Sequence, residues 1–160
     1  MLYKYTLDGN LLFEGEHLNG ERNGKGKEYD YNGKLIFEGE YLNGKKNGRC
    51  QEYGYNGKLI FEGEYFNGQR WEGKEYNDKG ELIFEGKYLY NYRRRGKKYM
   101  KGKLEYDGEY LCDKKWNGKG YDENGNIIYE LINGNGKVKE YNYKGELIFE
   151  GEYLDGKRKI

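Results

Sequence analysis

One eight-residue segment recurs along this chain at a nearly constant interval. It reads Phe-Glu-Gly-Glu-Tyr-Leu-Asn-Gly at Phe37–Gly44, and close variants begin at Phe13, Phe61, Phe84 and Phe149. Its central glycine recurs first every 24 residues and then at steps of 23 and 22. A fixed period of this size indicates a repeat architecture, in which each repeat packs on its neighbours. A repeated surface argues against catalysis, because a catalytic site needs one place unlike the others.

Each repeat reads as a β-hairpin. In the repeat from Lys34 to Gly57, residues 35–42 are rich in aromatic and β-branched side chains, which predicts a strand. The Asn-Gly pairs at Asn43 and Asn47 predict tight turns with positive φ, and a return strand is expected from Gly48 to Tyr53. Another Asn-Gly pair at Asn56 leads into the next repeat. The sequence therefore predicts an all-β meander of hairpins that runs as one array through residues 1–160.

A glycine stands inside the typical forward strand, between two aromatic positions on the same face. Phe37 and Tyr41 flank Gly39, and the missing side chain leaves a notch that a ring from an adjacent strand or repeat can fill. Stacked repeats would then form an aromatic row. Two interpretations stay open: the row is the core of the sheet, or part of it lines an open groove for a partner. The candidate binding residues of this row are Phe13, Phe37, Tyr41, Phe61, Tyr65, Phe84, Tyr88, Tyr106, Tyr110, Phe149 and Tyr153.

The charges are balanced and repeat with the strands. The chain has 29 Lys and Arg against 28 Asp and Glu, a net charge of +1, which argues against a nucleic-acid partner. The paired glutamates of a strand, such as Glu38 and Glu40, predict a cross-strand ladder with lysines rather than a metal site or an acid–base pair. With no Ser, a lone His17 and no base beside either Cys in the sequence, we expect no enzyme activity, no cofactor and no bound metal.

The sequence carries no signal for export or for a membrane span. Its N-terminal residues lack an apolar core of signal-peptide length, and no stretch approaches the roughly 18–20 apolar residues of a membrane helix. Cys50 and Cys112 do not occupy equivalent positions of the repeat, which favours two reduced thiols. We therefore expect a cytoplasmic protein, and the lack of Ala and Pro indicates an AT-rich genome.

The pattern of one repeat resembles the MORN repeat (membrane occupation and recognition nexus). An aromatic residue, Gly39 two positions later, a second aromatic at Tyr41 and the Gly44-Lys45 pair match the family pattern, as does the return-strand segment Gly24–Gly26 of the first repeat. The resemblance covers nearly the whole chain in about six and a half repeats, with degenerate repeats at about residues 88–141. It implies an elongated, twisted single antiparallel sheet, open at its ends, that acts as a non-catalytic binding, scaffolding or dimerising module.

The fourth repeat departs from the even mixture of charges. Seven of the eleven residues from Arg93 to Lys103 are basic and none is acidic. One interpretation is a solvated turn whose charge is offset by neighbouring Glu. The other is a docking patch for an acidic protein, a phosphoinositide head group or nucleic acid. The candidate residues of this predicted basic turn are Arg93, Arg94, Arg95, Lys97, Lys98, Lys101 and Lys103.

The repeat from Trp116 to Tyr141 is contracted. Leu131 stands where the other repeats have the strand glycine, and a turn sequence follows at once. We predict a shorter hairpin and a local irregularity of the sheet, with Trp116 filling the gap from a position that is basic in other repeats. Trp71 occupies a similar turn position. The two tryptophans are therefore a further candidate contact for a partner.

The partner expected on these grounds is another protein, which the module would scaffold, regulate or inhibit. Its contact surface would be the aromatic row together with the basic turn. The alternative is a membrane-surface module that binds anionic phospholipid head groups through Arg93–Lys103. The chain starts in a return strand and stops at Gly156–Ile160 with a hairpin unfinished, so an open sheet edge would offer a second copy a pairing site for a homodimer. Nucleic acid is the least favoured partner.

Overall fold

The chain is built from β-strands throughout. In the computed structural model, which describes residues 1–159, there are fifteen strands and no helix. Tertiary contacts divide the chain into two compact units, Met1–Gly80 and the part from Glu81 onward. The first unit contains β1 (Leu2–Tyr5), β2 (Leu11–Leu18), β3 (Glu21–Tyr29), β4 (Leu35–Leu42), β5 (Lys45–Tyr53), β6 (Leu59–Phe66) and β7 (Gln69–Tyr76). The second unit contains β8 (Leu82–Leu89), β9 (Tyr92–Met100), β10 (Lys103–Leu111), β11 (Lys114–Tyr121), β12 (Ile127–Leu131), β13 (Gly136–Tyr141), β14 (Leu147–Leu154) and β15 (Lys157–Arg158).

Within each unit, strands that follow one another in the chain pair antiparallel. In the first unit the pairing runs from β1 to β7 without a crossover. In the second unit it runs from β8 to β12, and β13 to β15 form a separate three-stranded sheet. The all-β antiparallel meander predicted from the repeats is confirmed. Ile160, the last residue of the predicted unfinished hairpin, lies outside the described residues.

The turns are those that the Asn-Gly pairs predict, with one correction. Asn43 and Gly44 have φ values of 48° and 79°, the left-handed conformation that a two-residue hairpin turn requires. Gly48 was expected to begin the return strand after a turn, but β5 already begins at Lys45. Because Asn43 and Gly44 close the hairpin, Asn47 and Gly48 lie inside β5, where the register shifts and Gly48 has a φ of 101°. They form a bulge rather than a turn.

Each turn is also bonded to the repeat before it. The Gly44 amide donates to the Arg22 carbonyl over 2.9 Å. The neighbouring Asn43 amide donates to the side-chain oxygen of Asn23 over 3.3 Å. The same two bonds recur at the next turn, which begins at Asn67. These bonds fix the spacing at which successive hairpins stack.

The core lies on one face of the sheet and consists mostly of rings. Phe37 meets Tyr41 of its own strand edge-on at a centroid distance of 5.7 Å. It meets Tyr65 of the next repeat in the same way, also at 5.7 Å. Such edge-to-face pairs are favoured by about 0.5–1.5 kcal/mol beyond the area they bury. The buried hydrophobic residues are Phe13, Phe37, Tyr41, Cys50, Phe61, Phe84, Tyr88, Tyr106, Tyr110, Tyr129, Leu131 and Val138.

The strand glycines bring these rings against bare backbone. A Cβ on Gly73 would lie 2.5 Å from the Phe61 ring, and one on Gly39 would lie 2.9 Å from the Phe37 ring. The predicted notch therefore exists. It is filled from a different direction than expected, because the ring over Gly39 belongs to the same strand and not to an adjacent one. The ring can fold along its own strand since the facing return strand carries only a small residue, Cys50.

The regular pattern ends at Leu131, as the contracted repeat predicts. Leu131 is buried in place of the strand glycine, β12 has five residues, and a new sheet begins at β13. Trp116 packs against the intervening turn: the Gly134 amide donates to its carbonyl over 2.8 Å, and a Cβ on Gly134 would lie 2.6 Å from its ring. One detail of the prediction was wrong. Lys115, and not Trp116, occupies the position that is basic in other repeats.

Candidate binding surfaces

The aromatic row is the core and not an open groove. Eight of its eleven predicted binding residues are buried, and Phe13, Phe61, Phe84 and Tyr106 have no exposed surface. The other three, which are Tyr65, Phe149 and Tyr153, are partly exposed. Of the two interpretations of the row, the packing therefore supports the core, and a partner must contact other side chains.

A cation covers the first ring of each forward strand that contributes to the row. The Arg22 guanidinium lies 4.1 Å from the centroid of Phe13, and the Lys46 ammonium lies 3.7 Å from that of Phe37. The equivalent positions of later repeats place Arg70, Arg93, Lys115 and Arg158 at 4.2 to 5.1 Å from their rings. This second row was missed from the sequence. In the sequence, its signal was a recurring basic residue that begins with Arg22. This residue comes two positions after the second turn residue of the hairpin, as Lys46 does after Gly44.

Glutamates of the return strands hold these cations in place. Glu28 lies 2.5 Å from Arg22 and 3.0 Å from Lys46 of the next repeat. Glu52 accepts two hydrogen bonds from the Arg70 guanidinium, at 2.9 and 2.8 Å. Burial raises the pKa of Glu28, but Lys46 and Arg22 outweigh burial, so that its pKa lies below the ordinary value. The cover over the rings is thus held by an ion network in which one carboxylate can bridge the cations of successive repeats.

The basic segment Arg93–Lys103 is not a turn. Tyr90 and Asn91, with φ values of 53° and 65°, form the turn, and residues 92–100 are strand β9. A second two-residue turn follows at Lys101–Gly102. The strand was not recognised in the sequence because this segment is a run of cations. The rings that give this part of the sheet its apolar face belong to the neighbouring strands.

Five of the seven cations lie in β9, and they are divided between the two faces of the sheet. On the aromatic face, Arg93 covers Phe84 and Lys98 lies 2.7 Å from Glu105. On the opposite face, Arg95 and Lys97 face Glu109 and Asp107 of β10. The predicted residues that remain exposed are Arg94, Arg95, Lys97, Lys101 and Lys103. Three of them lie in β9, Lys101 lies in the turn that follows, and Lys103 begins β10.

In the fourth repeat the carboxylate that holds the cations stands on the forward strand and not on the return strand. Lys98 occupies the return-strand position of Glu28 and Glu52, and Glu105 occupies the forward-strand position of Ile36. Glu105 lies 2.5 Å from Lys115 as well as 2.7 Å from Lys98. Burial raises the pKa of Glu105, and the two lysines lower it further than burial raises it. Part of the basic excess therefore neutralises an acid within the cover.

The face opposite the rings forms a groove of about 1110 Å³ in the first unit. Its floor is the backbone around the strand glycines, and its walls are charged side chains. The acidic members are Glu14, Glu16, Glu38, Glu40, Glu62, Glu64 and Glu72, and the basic members are Lys25, Lys27, Arg49 and Lys74. Seven carboxylates against four cations leave a net side-chain charge of −3. We call this feature the acidic groove.

The predicted charge ladder is present in the acidic groove but is interrupted at Gln51 and at Glu72. Lys27 pairs across the strands with Glu14 and with Glu38, and lies 3.6 Å from the latter. Gln51 then faces Glu38 where a lysine would continue the ladder. Within the described chain, Lys27–Glu38 is the one ion pair within 4 Å that joins two groove residues. Lys25, Arg49 and Lys74 still face Glu40, Glu64 and Glu62 across the strands, so the acid excess arises where Gln51 and Glu72 replace a cation.

An exposed apolar row borders the acidic groove. Leu18, Leu42 and Phe66 follow the Glu-x-Glu pairs of β2, β4 and β6, and are 58%, 50% and 63% exposed. Since they alternate with the buried face, they lie on the groove side of the sheet. Trp71, 48% exposed, packs against Phe66 at a centroid distance of 5.9 Å. Of the two tryptophans predicted as contacts, Trp71 lies at this border. We call these four residues the apolar border.

The corresponding face of the second unit is neutral. By strand register its acidic residues are Glu85, Asp107, Glu109 and Glu130, and its basic residues are Lys87, Arg95, Lys97 and Lys119. Four carboxylates and four cations cancel. The acid excess therefore belongs to the first unit alone, although both units use the same repeat.

The two cysteines are free and lie in different surroundings. Cys50 is buried within the aromatic face, and burial followed by the charge of Glu52 raises the pKa of its thiol to about 12. A thiol with so high a pKa is a poor nucleophile at neutral pH. Cys112 is exposed in the turn between β10 and β11.

Comparisons with known proteins leave the function to be argued from this geometry. A scan against protein-family models finds no family that matches the chain, and a search of the curated proteins finds no match. Among residues 1–159, no three His, Cys, Asp or Glu side chains are arranged to hold a metal ion. No helix in the same span is long and apolar enough to cross a membrane.

Proposed function

We propose that this chain is a MORN-type repeat protein without catalytic activity that binds another protein in the cytoplasm. Its contact surface is the acidic groove of the first unit with the apolar border beside it. The observation that carries the proposal is the threefold repetition of Glu-x-Glu-x-Leu or Phe on β2, β4 and β6, exposed on one face. A regular, exposed array of charged and apolar side chains suits an extended partner surface.

The hydrogen bonds of the glutamates favour binding over catalysis. The Tyr29 hydroxyl donates to Glu14 over 2.6 Å, and the Tyr76 hydroxyl donates to Glu62 over 2.5 Å. The same bond joins Tyr99 to Glu85 in the second unit. A catalytic pair of carboxylates needs environments that push the two pKa values apart, whereas these positions repeat one environment.

A capture experiment tests this function. The full tagged chain and the Leu42→Glu/Phe66→Glu variant are used to capture proteins from the source cells, and each captured protein is then purified and titrated against both. The matched control is Leu89→Glu/Leu111→Glu, which changes exposed leucines of the second unit. We expect a partner that binds the wild type and the control but not the variant. A captured set that is the same for all three chains contradicts the proposed surface.

A second candidate function, binding of anionic phospholipid, is favoured by the exposed cations Arg94 and Lys103. In the described chain neither has a carboxylate within 4 Å. Such cations attract an anionic membrane surface by about 1 kcal/mol each. Sedimentation with phosphatidylserine vesicles tests this candidate. Binding that falls with salt and is lost in Arg94→Glu/Lys103→Glu supports it, and equal recovery with neutral and anionic vesicles rules it out.

A further inference from the structure

We propose that the acidic groove takes a basic segment of its partner protein, in extended polyproline-type conformation, laid across the strands. Basic side chains of this segment face the glutamates, and its apolar side chains lie on the apolar border. The inference rests on the proposed function and deepens it, because it names the chemistry of the partner. It goes beyond the resemblance to other repeat proteins, since it follows from residues that depart from this chain's own repeat.

The acid excess has an identifiable origin in two return-strand positions. Gln51 stands where the neighbouring return strands have Lys27 and Lys74. Glu72 stands where they have Lys25 and Arg49, and it faces Glu64 across the strands. Restoring a lysine at both places would change the groove charge from −3 to neutral, because one substitution adds one charge and the other adds two. The repeat would be balanced without these two residues.

The acid excess is concentrated in the middle of this face, around Gln51 and Glu72. Gln51 faces Glu38 on one side and Glu62 on the other, so that no cation separates these two carboxylates along the row. Glu64 and Glu72 face each other directly, and like charges that face each other in a sheet are destabilising. A basic partner removes that repulsion when it binds, which makes charge complementarity the selective feature of the groove.

The spacing of the repeats selects the conformation of the bound segment. Equivalent residues recur every second strand, at about 9.5 Å, because neighbouring strands lie about 4.7–4.9 Å apart. A polyproline-type peptide advances about 9.3 Å in three residues, so every third side chain returns to the same side and meets the next repeat. A β-strand returns to the same side at about 6.8 Å, which does not match. A helix covers 9.5 Å in about six residues, which is not a whole number of turns.

The other occupants of such a face fit less well. An anionic membrane surface would be repelled by a groove of charge −3. The same face on the second unit of another copy is neutral, with four charges of each sign, and offers no complement. Self-association remains as an outcome of the experiment below, and the vesicle sedimentation described above tests the membrane surface.

The test is a titration of a labelled peptide with the full chain, monitored by fluorescence anisotropy. The probe is a labelled peptide of four Lys-Leu-Pro triplets. Its controls are the same peptide with Gln for Lys, and one of equal composition with irregular lysine spacing. The groove variant is Gln51→Lys/Glu72→Lys, which should fold because lysine stands at both equivalent positions of the first repeat. The control variant, Asp8→Asn/Glu123→Lys, makes the same change in total charge at exposed turns. Circular dichroism checks that both variants are folded.

We expect the wild type and the control variant to bind the probe alike, and the groove variant to bind it at least about tenfold more weakly. Binding should weaken as salt rises, and both control peptides should bind less well. Equal binding of the probe by the groove and control variants overturns the inference. So does self-association of the wild type that the groove variant abolishes, because a second copy would then be the occupant. A captured partner that is lost with the Leu42→Glu/Phe66→Glu change but kept by the groove variant leaves the proposed function standing and rejects the basic segment.

Discussion

Replacing Gly63 with Ala tests whether the aromatic core depends on bare backbone at the strand glycines. A Cβ on Gly63 would lie 2.2 Å from the carbonyl oxygen of Glu72 and 2.6 Å from the Cα of Gly73. Ordinary contact begins at 3.4 Å, so β6 and β7 would have to separate by about 1 Å. Both obstructing atoms belong to the backbone, which cannot move aside as a flexible side chain can.

The expected loss of stability follows from that displacement. Overfilling a packed site costs about 1–3 kcal/mol. Weakening two of the hydrogen bonds between the separated strands adds about 1 kcal/mol each. The free energy of unfolding should therefore fall by about 3–5 kcal/mol. At about 2–4 °C per kcal/mol for a chain of this size, the melting temperature should fall by about 6–20 °C.

Urea unfolding, monitored by tryptophan fluorescence, measures this loss of stability, because Trp71 lies in β7 itself. The matched control is Gly54→Ala. A Cβ there would lie 3.2 Å from the side chains of Asn56 and Ile60, which can give way. We expect Gly54→Ala to stay within about 1 kcal/mol of the wild type. If Gly63→Ala is equally mild, close approach of the backbone is not the reason for the strand glycines.

Further predictions concern the ion network and the thiols. Because the pKa of Glu28 is below its ordinary value near 4.5, its ion pairs stabilise the fold above that pH, and this contribution is lost as pH falls through the folded pKa. Glu28→Gln should thus lower the free energy of unfolding by about 1–3 kcal/mol at pH 7. In urea titrations at several pH values, the free energy of unfolding of this variant should also fall less steeply toward acid pH than that of the wild type. An equally steep fall would contradict this. In the same assay, Arg93→Ala should lower the free energy of unfolding by about 1–2 kcal/mol and Arg94→Ala by less than about 0.5 kcal/mol. Equal losses would contradict the stabilising contact of Arg93 with the Phe84 ring. At pH 8, maleimide should label the exposed Cys112 quickly and the buried Cys50 only on unfolding. In the control variant Cys112→Ser, mass spectrometry should show that the fast labelling site is lost. Rapid labelling of Cys50 in the folded chain would show that the aromatic row is open.

The hairpin architecture could be predicted from the sequence because its determinants are local. The turn at Asn43-Gly44 depends on the conformational preference of two residues, and the alternation around Gly39 assigns Phe37 and Tyr41 to one face. The basic segment was harder to predict. Its cations alternate between covering a ring and facing solvent, and the single chain segment shows only a run of like charges. Arg93 and Arg94 look alike in the sequence and differ only in the strand face they occupy.

The acidic groove could not be predicted from the sequence for a related reason. Gln51 and Glu72 are visible as departures from the repeat, but each looks like one ordinary change of a surface residue. The register of β5, β6 and β7 brings them opposite Glu38, Glu62 and Glu64, and only then does the local balance of charge change sign. Bulges shift that register between the strands, so that counting along the chain does not reveal which residues face each other.

The pairing of each strand with its neighbours in the chain has a kinetic consequence. Within each unit the paired strands are separated by turns of two to five residues. Closing such short loops costs little chain entropy, and no strand has to wait for a distant segment. All-β proteins usually fold slowly because their contacts are distant in sequence. We therefore expect folding to start at any hairpin and spread to the next, with the fast, stepwise kinetics more familiar from helical repeat proteins.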